Sequence, residues 1–457
     1  MQKNNLTDTI CALATPPGIG AVAVIRVSGS QAIEICNTIF FGTDLTKVAS
    51  HTIHFGTIRD KDRIIDEVLV SVFKDKKSYT GENSIEISTH GSPYIQQQVL
   101  QLLLTNGAVF ASPGEFTLRA FLNGKLDLSQ AEAVADIIAA NSATSHELAM
   151  NQMRGGFSSE IQKLRDELIH FASLIELELD FGEEDVEFAD RADLKELVIK
   201  LIKALSALIN SFAYGNVIKT GVPVAIVGRP NAGKSTLMNT LLNENRAIVS
   251  EIPGTTRDTI EEILNINGIQ FRFIDTAGLR ITTDEIEKIG VEKAYQEIEK
   301  SAIFIYLFDI SQLSVQDVAV DLAQFNKNFK RLVVANKTDL VDEFTILSFT
   351  KANFQCNFIS AKEKDSLESL KETLFKAINE NKIDNNDAVV TNVRHYDALT
   401  KANESLLTVL EGLDNNITGD FLAMDIRQAL HHLGEITGAI TSDDLLDNIF
   451  SRFCIGK

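Results

Sequence analysis

The segment GRPNAGKS, which spans Gly228–Ser235, decides the fold of the central part of this 457-residue chain. It fits the pattern G-x-x-x-x-G-K-[ST], follows the apolar run Val222–Val227 and precedes a segment with helical periodicity, 236–242. Strand, glycine-rich loop and helix in this order form a phosphate-binding loop, because the loop N–H groups and the helix N-terminus point at the phosphate oxygens. We therefore expect Lys234 to reach the β- and γ-phosphates of a nucleotide and the Ser235 hydroxyl to coordinate Mg²⁺.

Three more motifs follow along the chain, each at the end of an apolar run. They are DTAG at Asp275–Gly278, NKTD at Asn336–Asp339 and SAK at Ser360–Lys362. The Asp339 carboxylate can accept two N–H bonds, from the ring nitrogen and the exocyclic amine of guanine, and adenine offers no such pair. Four motifs in this order predict a domain that binds GTP and GDP, in preference to coincidence within a generic α/β domain.

The predicted nucleotide contacts come from these four motifs and from the loop between the first two. They are Asn231, Ala232, Gly233, Lys234, Ser235, Thr236, Ser250, Thr255, Thr256, Asp275, Thr276, Ala277, Gly278, Asn336, Lys337, Asp339, Ser360, Ala361 and Lys362.

The loop GTTRD, Gly254–Asp258, offers a second Mg²⁺ ligand. A threonine here can reach the metal when the γ-phosphate is present, and we assign this role to Thr256; the alternative is an ordinary polar loop. Leu279 follows DTAG, where many small GTPases carry a glutamine that orients water. Because leucine cannot form hydrogen bonds, hydrolysis needs another group, and the carboxylates within 284–287 are candidates. Their alternative role is a charged helix start, which the helix dipole favours.

Outward from these motifs, residues 216–380 alternate apolar strands with helical segments, the pattern of a doubly wound, mostly parallel sheet. Residues 1–120 read as mixed α/β sequence, whereas 121–215 and 381–457 read as helical. We expect an α/β and α multidomain protein, with an N-terminal α/β domain and a helical domain into which the P-loop GTPase domain is inserted. Ser129–Glu132 has the pattern of a capping box at the first helix of the helical part.

Composition and charge limit the remaining possibilities. The chain is 44% hydrophobic with 26 Gly and 7 Pro, which excludes collagenous and low-complexity chains. Four scattered cysteines without a C-x-x-C pair favour a reducing, cytoplasmic location, and no apolar run is long enough to predict a membrane span. The net charge is −20, so we expect only local contacts with RNA. The acidic run 176–190 is either a solvated face or a surface for a basic partner.

The two ends of the chain carry a more specific signal. The chain begins with Asp8-Thr9-Ile10 and then ATPPG at Ala14–Gly18, and it ends with FCIGK at Phe453–Lys457. Together with GTPase motifs inside a helical domain, these segments resemble the MnmE (TrmE) family of tRNA-modification GTPases over nearly the whole chain. The GTPase motifs are shared with other translation-related GTPases, so the two ends make the resemblance specific.

The resemblance implies a cytoplasmic homodimer whose N-terminal domain binds a tetrahydrofolate derivative, 5-formyl- or methylene-tetrahydrofolate. Family members form a heterotetramer with the flavoprotein MnmG, which carries FAD. Because this chain is acidic, we expect the partner to make most of the tRNA contacts. Together they add an aminomethyl or carboxymethylaminomethyl group at position 5 of the wobble uridine of certain tRNAs. The folate supplies the one-carbon unit, and K⁺ stimulates GTP hydrolysis.

The resemblance also implies roles for individual residues. Potassium ligands are implied at Asn231, Ser250, Ile252 and Thr255, and the catalytic glutamate falls on Glu287, where it would replace the missing glutamine. The implied folate contacts are Arg26, Glu82, Lys125 and Lys457, and the implied catalytic cysteine is Cys454. From the residues alone, Arg26 and Lys125 are read as surface cations, and the alternative for Cys454 is a small buried apolar residue.

Two classes of function remain in view. The first is an enzyme subunit that hydrolyses GTP and takes part in tRNA modification. The second is a regulatory switch without substrate chemistry, such as a ribosome-assembly GTPase. The folate residues and Cys454 discriminate between them, because a pure switch needs neither.

Overall fold

The structure is a computed structural model that divides the chain into two compact units. It describes residues 6–180, 191–245, 262–274, 298–299, 301–325, 330–352, 354–379, 388–415 and 417–457. The first unit comprises residues 1–138, 150–202 and 398–457, and the second comprises residues 139–149 and 203–397. The second unit thus interrupts the first along the chain, which confirms the expected insertion. The domain boundaries at 120, 215 and 380 stay predictions.

Thirteen strands and fourteen α-helices are found in the described residues. The strands are β1 Ile10–Leu13, β2 Val22–Ser28, β3 Phe40–Phe41, β4 Thr52–Asp60, β5 Arg63–Phe73, β6 Ser84–His90, β7 Val109–Phe110, β8 Val222–Val227, β9 Glu262–Ile266, β10 Ile269–Phe273, β11 Ile303–Asp309, β12 Arg331–Asn336 and β13 Cys356–Phe358. The helices are α1 Ala32–Ile39, α2 Pro93–Thr105, α3 Glu115–Leu122, α4 Leu128–Ala139, α5 Ala143–Met153, α6 Gly156–Asp180, α7 Arg191–Thr220, α8 Lys234–Asn245, α9 Val315–Ala323, α10 Glu343–Thr350, α11 Lys364–Asn379, α12 Val393–Asp414, α13 Gly419–Thr437 and α14 Asp443–Phe450.

The first unit contains a seven-stranded sheet in the order β3-β4-β5-β6-β2-β1-β7, antiparallel except for the β1–β7 pair. Strand period decides which side chains are buried. In β5, Val68, Val70 and Val72 are buried in the core that α1 and α2 share with the sheet, whereas Leu69 between them is exposed. The mixed α/β character expected for the N-terminal part is therefore confirmed.

The opposite face of this sheet carries exposed apolar side chains. Ile53 and Phe55 on β4 are each 66% exposed, and Leu69, which is the register partner of Phe55 on β5, is 48% exposed. We call Ile53, Phe55 and Leu69 the outer apolar patch. Contiguous apolar surface of this kind marks an interaction site more often than isolated apolar residues do.

The helices of the first unit each bury one apolar stripe. In α12 the buried residues include Leu399, Ala402 and Leu406, and in α13 they include Leu422 and Ile426. These spacings of three and four residues place one face of each helix in the core, in agreement with the helical reading of 381–457.

The capping box of α4 lies two residues earlier than the sequence analysis predicted. Asp127 Oδ1 accepts a hydrogen bond from the Gln130 backbone N–H, and Gln130 Oε1 accepts one from the Asp127 N–H, both at 2.9 Å. The predicted cap, Ser129, instead lies inside the helix, where its buried hydroxyl pairs with that of Ser158 at 2.9 Å. Asp127-x-x-Gln130 and Ser129-x-x-Glu132 both fit the capping-box pattern. The first forms the cap because α4 begins at Leu128, directly after Asp127.

The second unit contains a six-stranded sheet in the order β13-β12-β11-β8-β10-β9, parallel except for β9. Every residue of β11 is buried, and successive side chains point to opposite layers. Ile305 joins the core with α8 and α11, whereas Phe304 and Phe308 join the core with α9 and α10. Helices thus cover both faces, which confirms the doubly wound, mostly parallel sheet.

Among the described residues, α7 is the one helix long and apolar enough to cross a membrane by length and composition alone. Its buried residues include Leu194, Val198, Leu201 and Leu205, a stripe with spacings of four and three. Farther along, the Ser211 hydroxyl accepts a hydrogen bond from the Val390 N–H at 2.9 Å within the second unit. A single buried stripe and a polar contact of this kind are typical of a helix that packs on a protein core.

We expect Asp127→Ala to lower the free energy of unfolding by about 1 kcal/mol, because it removes the capping oxygen of α4. Asp127→Asn retains a capping oxygen and serves as the matched control, for which we expect at most a few tenths of this loss. Urea unfolding followed by circular dichroism measures both. Equal stability of Asp127→Ala and the wild type would contradict the assigned cap.

Candidate functional site

The phosphate-binding loop leaves the carboxyl end of β8, and its backbone is shaped for an anion. Asn231 has φ +62° and Gly233 has φ +99°, so both lie in the left-handed region. A Cβ on Gly233 would lie 2.2 Å from Nδ2 of Asn336, and one on Gly228 would lie 1.9 Å from the carbonyl oxygen of Leu307. Glycine is required at these two positions because the loop runs directly against the neighbouring strand ends.

Lys234 begins α8 and folds back over the loop. Its Nζ donates to the carbonyl oxygens of Gly228, at 2.5 Å, and Arg229, at 3.1 Å. The ammonium is thus held by the carbonyl oxygens of the first two residues of the loop. Ser235 and Thr236 follow in the first turn of α8, so the predicted helix begins two residues earlier than the sequence indicated.

Arg229 ties the loop to α9. Its Nε and Nη2 donate to the two carboxylate oxygens of Asp321, each at 2.8 Å. The hydroxyl of Tyr306 on β11 also donates to Asp321. Burial and the adjacent Asp321 carboxylate raise the pKa of Tyr306 above its ordinary value.

Asn336 connects three of the predicted motifs. Its side chain is 2% exposed; Nδ2 donates to the Ala232 carbonyl at 2.7 Å, and Oδ1 accepts the Ala361 N–H at 2.9 Å. Thr240 on α8 adds a hydrogen bond from its hydroxyl to the Ala361 carbonyl at 2.8 Å. The phosphate loop, NKTD and SAK are thus held at one end of the sheet.

These segments line a cavity of about 290 Å³. Its walls are Gly233, Thr236, Asn336, Lys337, Asp339, Leu340, Ser360, Ala361 and Lys362. The cavity lies at the carboxyl ends of the parallel strands β8 and β12, where ligands bind in open α/β sheets. Asp339, which is exposed, is one of these wall residues.

Part of the predicted site falls on residues outside the described ranges. These are Ser250, Ile252, Thr255, Thr256, Asp275, Thr276, Ala277, Gly278 and Glu287. Within the described ranges, no group of three or more His, Cys, Asp or Glu side chains could hold a metal ion. For Mg²⁺, the described residues supply one of the predicted ligands, the Ser235 hydroxyl.

A second polar cluster lies on the sheet of the first unit. Arg26 on β2 pairs with Glu86, its register partner on β6, through Nε at 3.0 Å and Nη2 at 2.8 Å. The guanidinium also lies 5.2 Å from the ring centroid of Tyr79 and 5.6 Å from that of Phe116. Its Nη1 is buried without a hydrogen-bond partner in the described part of the chain. That orphaned donor fits a ligand with an oxygen acceptor.

The C-terminal tail meets this cluster. A Cβ on Gly456 would lie 2.3 Å from the Leu13 carbonyl oxygen, so the tail runs closely along the end of β1. Burial lowers the pKa of Lys457, and the charge of Arg26 lowers it further, while Glu86 and Cys454 act in the opposite direction. The Cys454 side chain is exposed, which rules out the alternative of a packed core thiol.

Glu82 and Lys125, the other two predicted folate residues, lie beside the same strand. Glu82 Oε2 accepts hydrogen bonds from the Ser28 hydroxyl at 3.1 Å and from Arg119 Nη1 at 3.2 Å. Ser28 is two residues from Arg26, so both side chains lie on one face of β2. A Cβ on Gly81 would lie 3.3 Å from Lys125 Cγ, which places this lysine next to Glu82.

Sequence reasoning missed the partners that hold these groups. Arg119, 2% exposed, pairs with Glu82 and with the buried Glu115 at 2.8 Å. The signal for this pair was the Glu-x-x-x-Arg spacing within one helix, Glu115 to Arg119. Asp309, which pairs with Lys337 at 2.6 Å, and Glu86 carried no signal, because each contact depends on the strand register.

Comparisons with known proteins agree with this arrangement. A family model described as the MnmE helical domain matches residues 128–454, and one described as the GTP-binding protein TrmE N-terminus matches residues 9–125. A tRNA modification GTPase MnmE from Christiangramia forsetii is 56% identical, covering 99% of this chain and 100% of its own. One from Cytophaga hutchinsonii is 55% identical, covering 99% of this chain and 98% of its own.

Among solved structures, Aquifex aeolicus Era bound to GDP and aluminium fluoride is 28% identical over 41% of this chain and 67% of its own, with a TM-score of 0.28. The family models and the full-length relatives together cover both units. The chain therefore belongs to the MnmE family of tRNA modification GTPases.

Proposed function

We propose that this protein hydrolyses GTP to drive a modification reaction at the wobble uridine of certain tRNAs, together with an FAD-dependent partner, MnmG. The product carries an aminomethyl or carboxymethylaminomethyl group at position 5 of the base, and a tetrahydrofolate derivative supplies the carbon. The observation that carries the proposal is the meeting of the C-terminal tail, with its exposed Cys454, and the Arg26 cluster on one sheet of the first unit.

The Arg26 cluster has the chemistry of a reduced-folate site. Glu82 offers acceptors for the ring N–H groups of a pterin, while Arg26, Lys125 and Lys457 offer donors for carbonyl and carboxylate oxygens. The orphaned Nη1 of Arg26 and the flanking ring of Tyr79 support a flat, oxygen-bearing ligand. When bound, the folate would carry the one-carbon unit, and these residues would orient it.

The nucleotide site has the donors that GTP requires. Lys234 and the loop N–H groups would bind the phosphates, Asp339 the guanine, and Ser235 with Thr256 the Mg²⁺ ion. A K⁺ ion held by Asn231, Ser250, Ile252 and Thr255 would neutralise charge that develops on the phosphates, as an arginine finger does elsewhere. Glu287 would then orient the attacking water.

The outer apolar patch supports a homodimer. Phe55 and Leu69 are adjacent on neighbouring strands and exposed, and a second copy of the same sheet would remove both from water. A net charge of −20 supports a division of labour in which the partner MnmG makes most of the tRNA contacts in a cytoplasmic heterotetramer.

We expect Asp339→Asn to weaken GTP binding by at least about 1.5 kcal/mol, because a charge-assisted hydrogen bond to guanine is lost. Titration with a fluorescent GTP analogue measures this change. Asp342→Asn is the matched control, since it removes the same charge three residues away at the N-cap of α10, where asparagine also caps. Unchanged affinity in Asp339→Asn would contradict the placement of guanine.

We expect GTP hydrolysis to accelerate when K⁺ replaces Na⁺, and Asn231→Ala to abolish the difference, because its side chain would bind the ion. Asn231→Gly removes the same amide without straining the positive φ, and exposed Asn239→Ala on α8 is the matched control that keeps the difference. Glu287→Ala should slow hydrolysis and leave GTP binding nearly intact. Equal rates in the two salts would refute the role of the ion.

We expect Cys454→Ser to abolish the modified wobble uridine in cells while GTP hydrolysis and melting temperature stay at wild-type values. The thiol is exposed, so its replacement by a hydroxyl should change stability by no more than about 0.5 kcal/mol. Mass spectrometry of tRNA nucleosides measures the modification, and Ser451→Ala in the same tail is the control. Normal modification in the Cys454→Ser variant would exclude a direct role for the thiol.

A further inference from the structure

Asp309 ends β11 and lies directly opposite Asn336 of β12 in the register of the parallel sheet. Its two carboxylate oxygens have different partners. Oδ1 accepts the Ser311 N–H at 3.0 Å and the Ser311 hydroxyl at 2.6 Å. Oδ2 accepts a hydrogen bond from Lys337 Nζ at 2.6 Å. The carboxylate is therefore fixed on one side by its own turn and presented on the other side to the lysine of NKTD.

The pair is charged and largely removed from water. The side chain of Asp309 is 5% exposed and that of Lys337 is 30% exposed. Burial by itself would raise the pKa of Asp309, but the hydrogen bonds from Lys337 and Ser311 outweigh it and hold this pKa below its ordinary value. Moving the ammonium away would leave a buried carboxylate unpaired, which is unfavourable in free energy. The Lys337 side chain is therefore held in this position.

The contact stretches the Lys337 side chain between two fixed points. At one end the backbone of Lys337 has φ +65°, immediately after β12, and at the other end the ammonium is bound to Asp309. Lys337 is also one of the residues that line the cavity beside Asp339. The ammonium is bound to Asp309, so the apolar four-carbon stem is the part of Lys337 that remains to line the cavity.

We propose that Asp309 is a positioning residue for guanine nucleotides, acting through Lys337. By binding the ammonium it holds the lysine stem as a preformed wall against which the flat purine packs. Preorganisation of this kind strengthens binding because the side chain loses no rotamer freedom when the nucleotide arrives. The inference rests on the proposed placement of guanine in the cavity.

The test compares Asp309→Asn in the wild type and in a Lys337→Met background. Asp309→Asn should raise the Kd for GDP about tenfold, mainly through faster dissociation, because a charge-assisted hydrogen bond is replaced by a weaker one. Methionine keeps an unbranched apolar stem but leaves Asp309 without its cation, so in that background Asp309→Asn removes an unpaired carboxylate. It should therefore not weaken GDP binding there, and the Kd should change by less than about twofold. Asp317→Asn on α9, with the same charge change, should bind GDP as the wild type does.

Two results would overturn the inference. The first is that Asp309→Asn binds and releases GDP as the wild type does. The second is that Asp309→Asn weakens GDP binding equally with lysine and with methionine at position 337, which would indicate a general loss of loop structure. If Asp309→Asn does not fold, exposed Ser311→Ala is used instead, since it loosens the same carboxylate. GDP should dissociate from the Ser311→Ala variant about threefold faster when residue 337 is lysine, and at an unchanged rate in the Lys337→Met background.

The experiment separates this inference from the placement of guanine. An effect of Asp339→Asn on GDP binding without any effect of Asp309→Asn leaves guanine in the cavity and refutes the role of Asp309. Absence of an effect in Asp339→Asn refutes the placement itself.

Discussion

The two hydrogen bonds of the Asn336 side chain hold the nucleotide site together. One reaches the phosphate-binding loop at Ala232 and the other reaches SAK at Ala361, and the amide is buried at the end of β12. Neither bond can be exchanged for one with water, so a substitution that removes the amide leaves two buried backbone groups without partners. The phosphate-binding loop and SAK are thereby fixed to each other through one side chain.

The sequence alone predicted the parallel sheet well, since runs such as Val222–Val227 and Ile303–Phe308 are too apolar and too regularly placed for another fold. Three of the four motifs, the phosphate-binding loop, NKTD and SAK, likewise identified walls of the cavity. Prediction failed at the start of α4, where two overlapping capping patterns competed and local rules could not rank them. It also could not find Asp309, because its partner Lys337 directly follows another strand, β12, and the contact depends on the register of β11 with β12.

The polar cluster around Arg26 carries no local sequence signal of its own. Arg26 and Glu82 are unremarkable charged residues in a strand and a loop, and family resemblance alone singled them out. The structure adds the physical support for each: Glu86 and two aromatic rings surround Arg26, while Ser28 and Arg119 orient Glu82. A buried polar network is satisfied only when every member is present. The positions of Glu86, Ser28 and Arg119 therefore matter to this cluster as much as those of Arg26 and Glu82.

Phe450 and Phe453 pack against Leu128 and Ala131, and a Cβ on Gly114 would lie 2.6 Å from the Phe450 carbonyl oxygen. This core joins segments that leave the ribosome at very different times. At bacterial rates of synthesis, roughly 300 intervening residues correspond to a delay on the order of tens of seconds. The first unit must therefore wait, incomplete, while the second unit is made and has time to fold. In a nascent chain the second unit is therefore complete before Phe450 and Phe453 can cover the apolar face of α4.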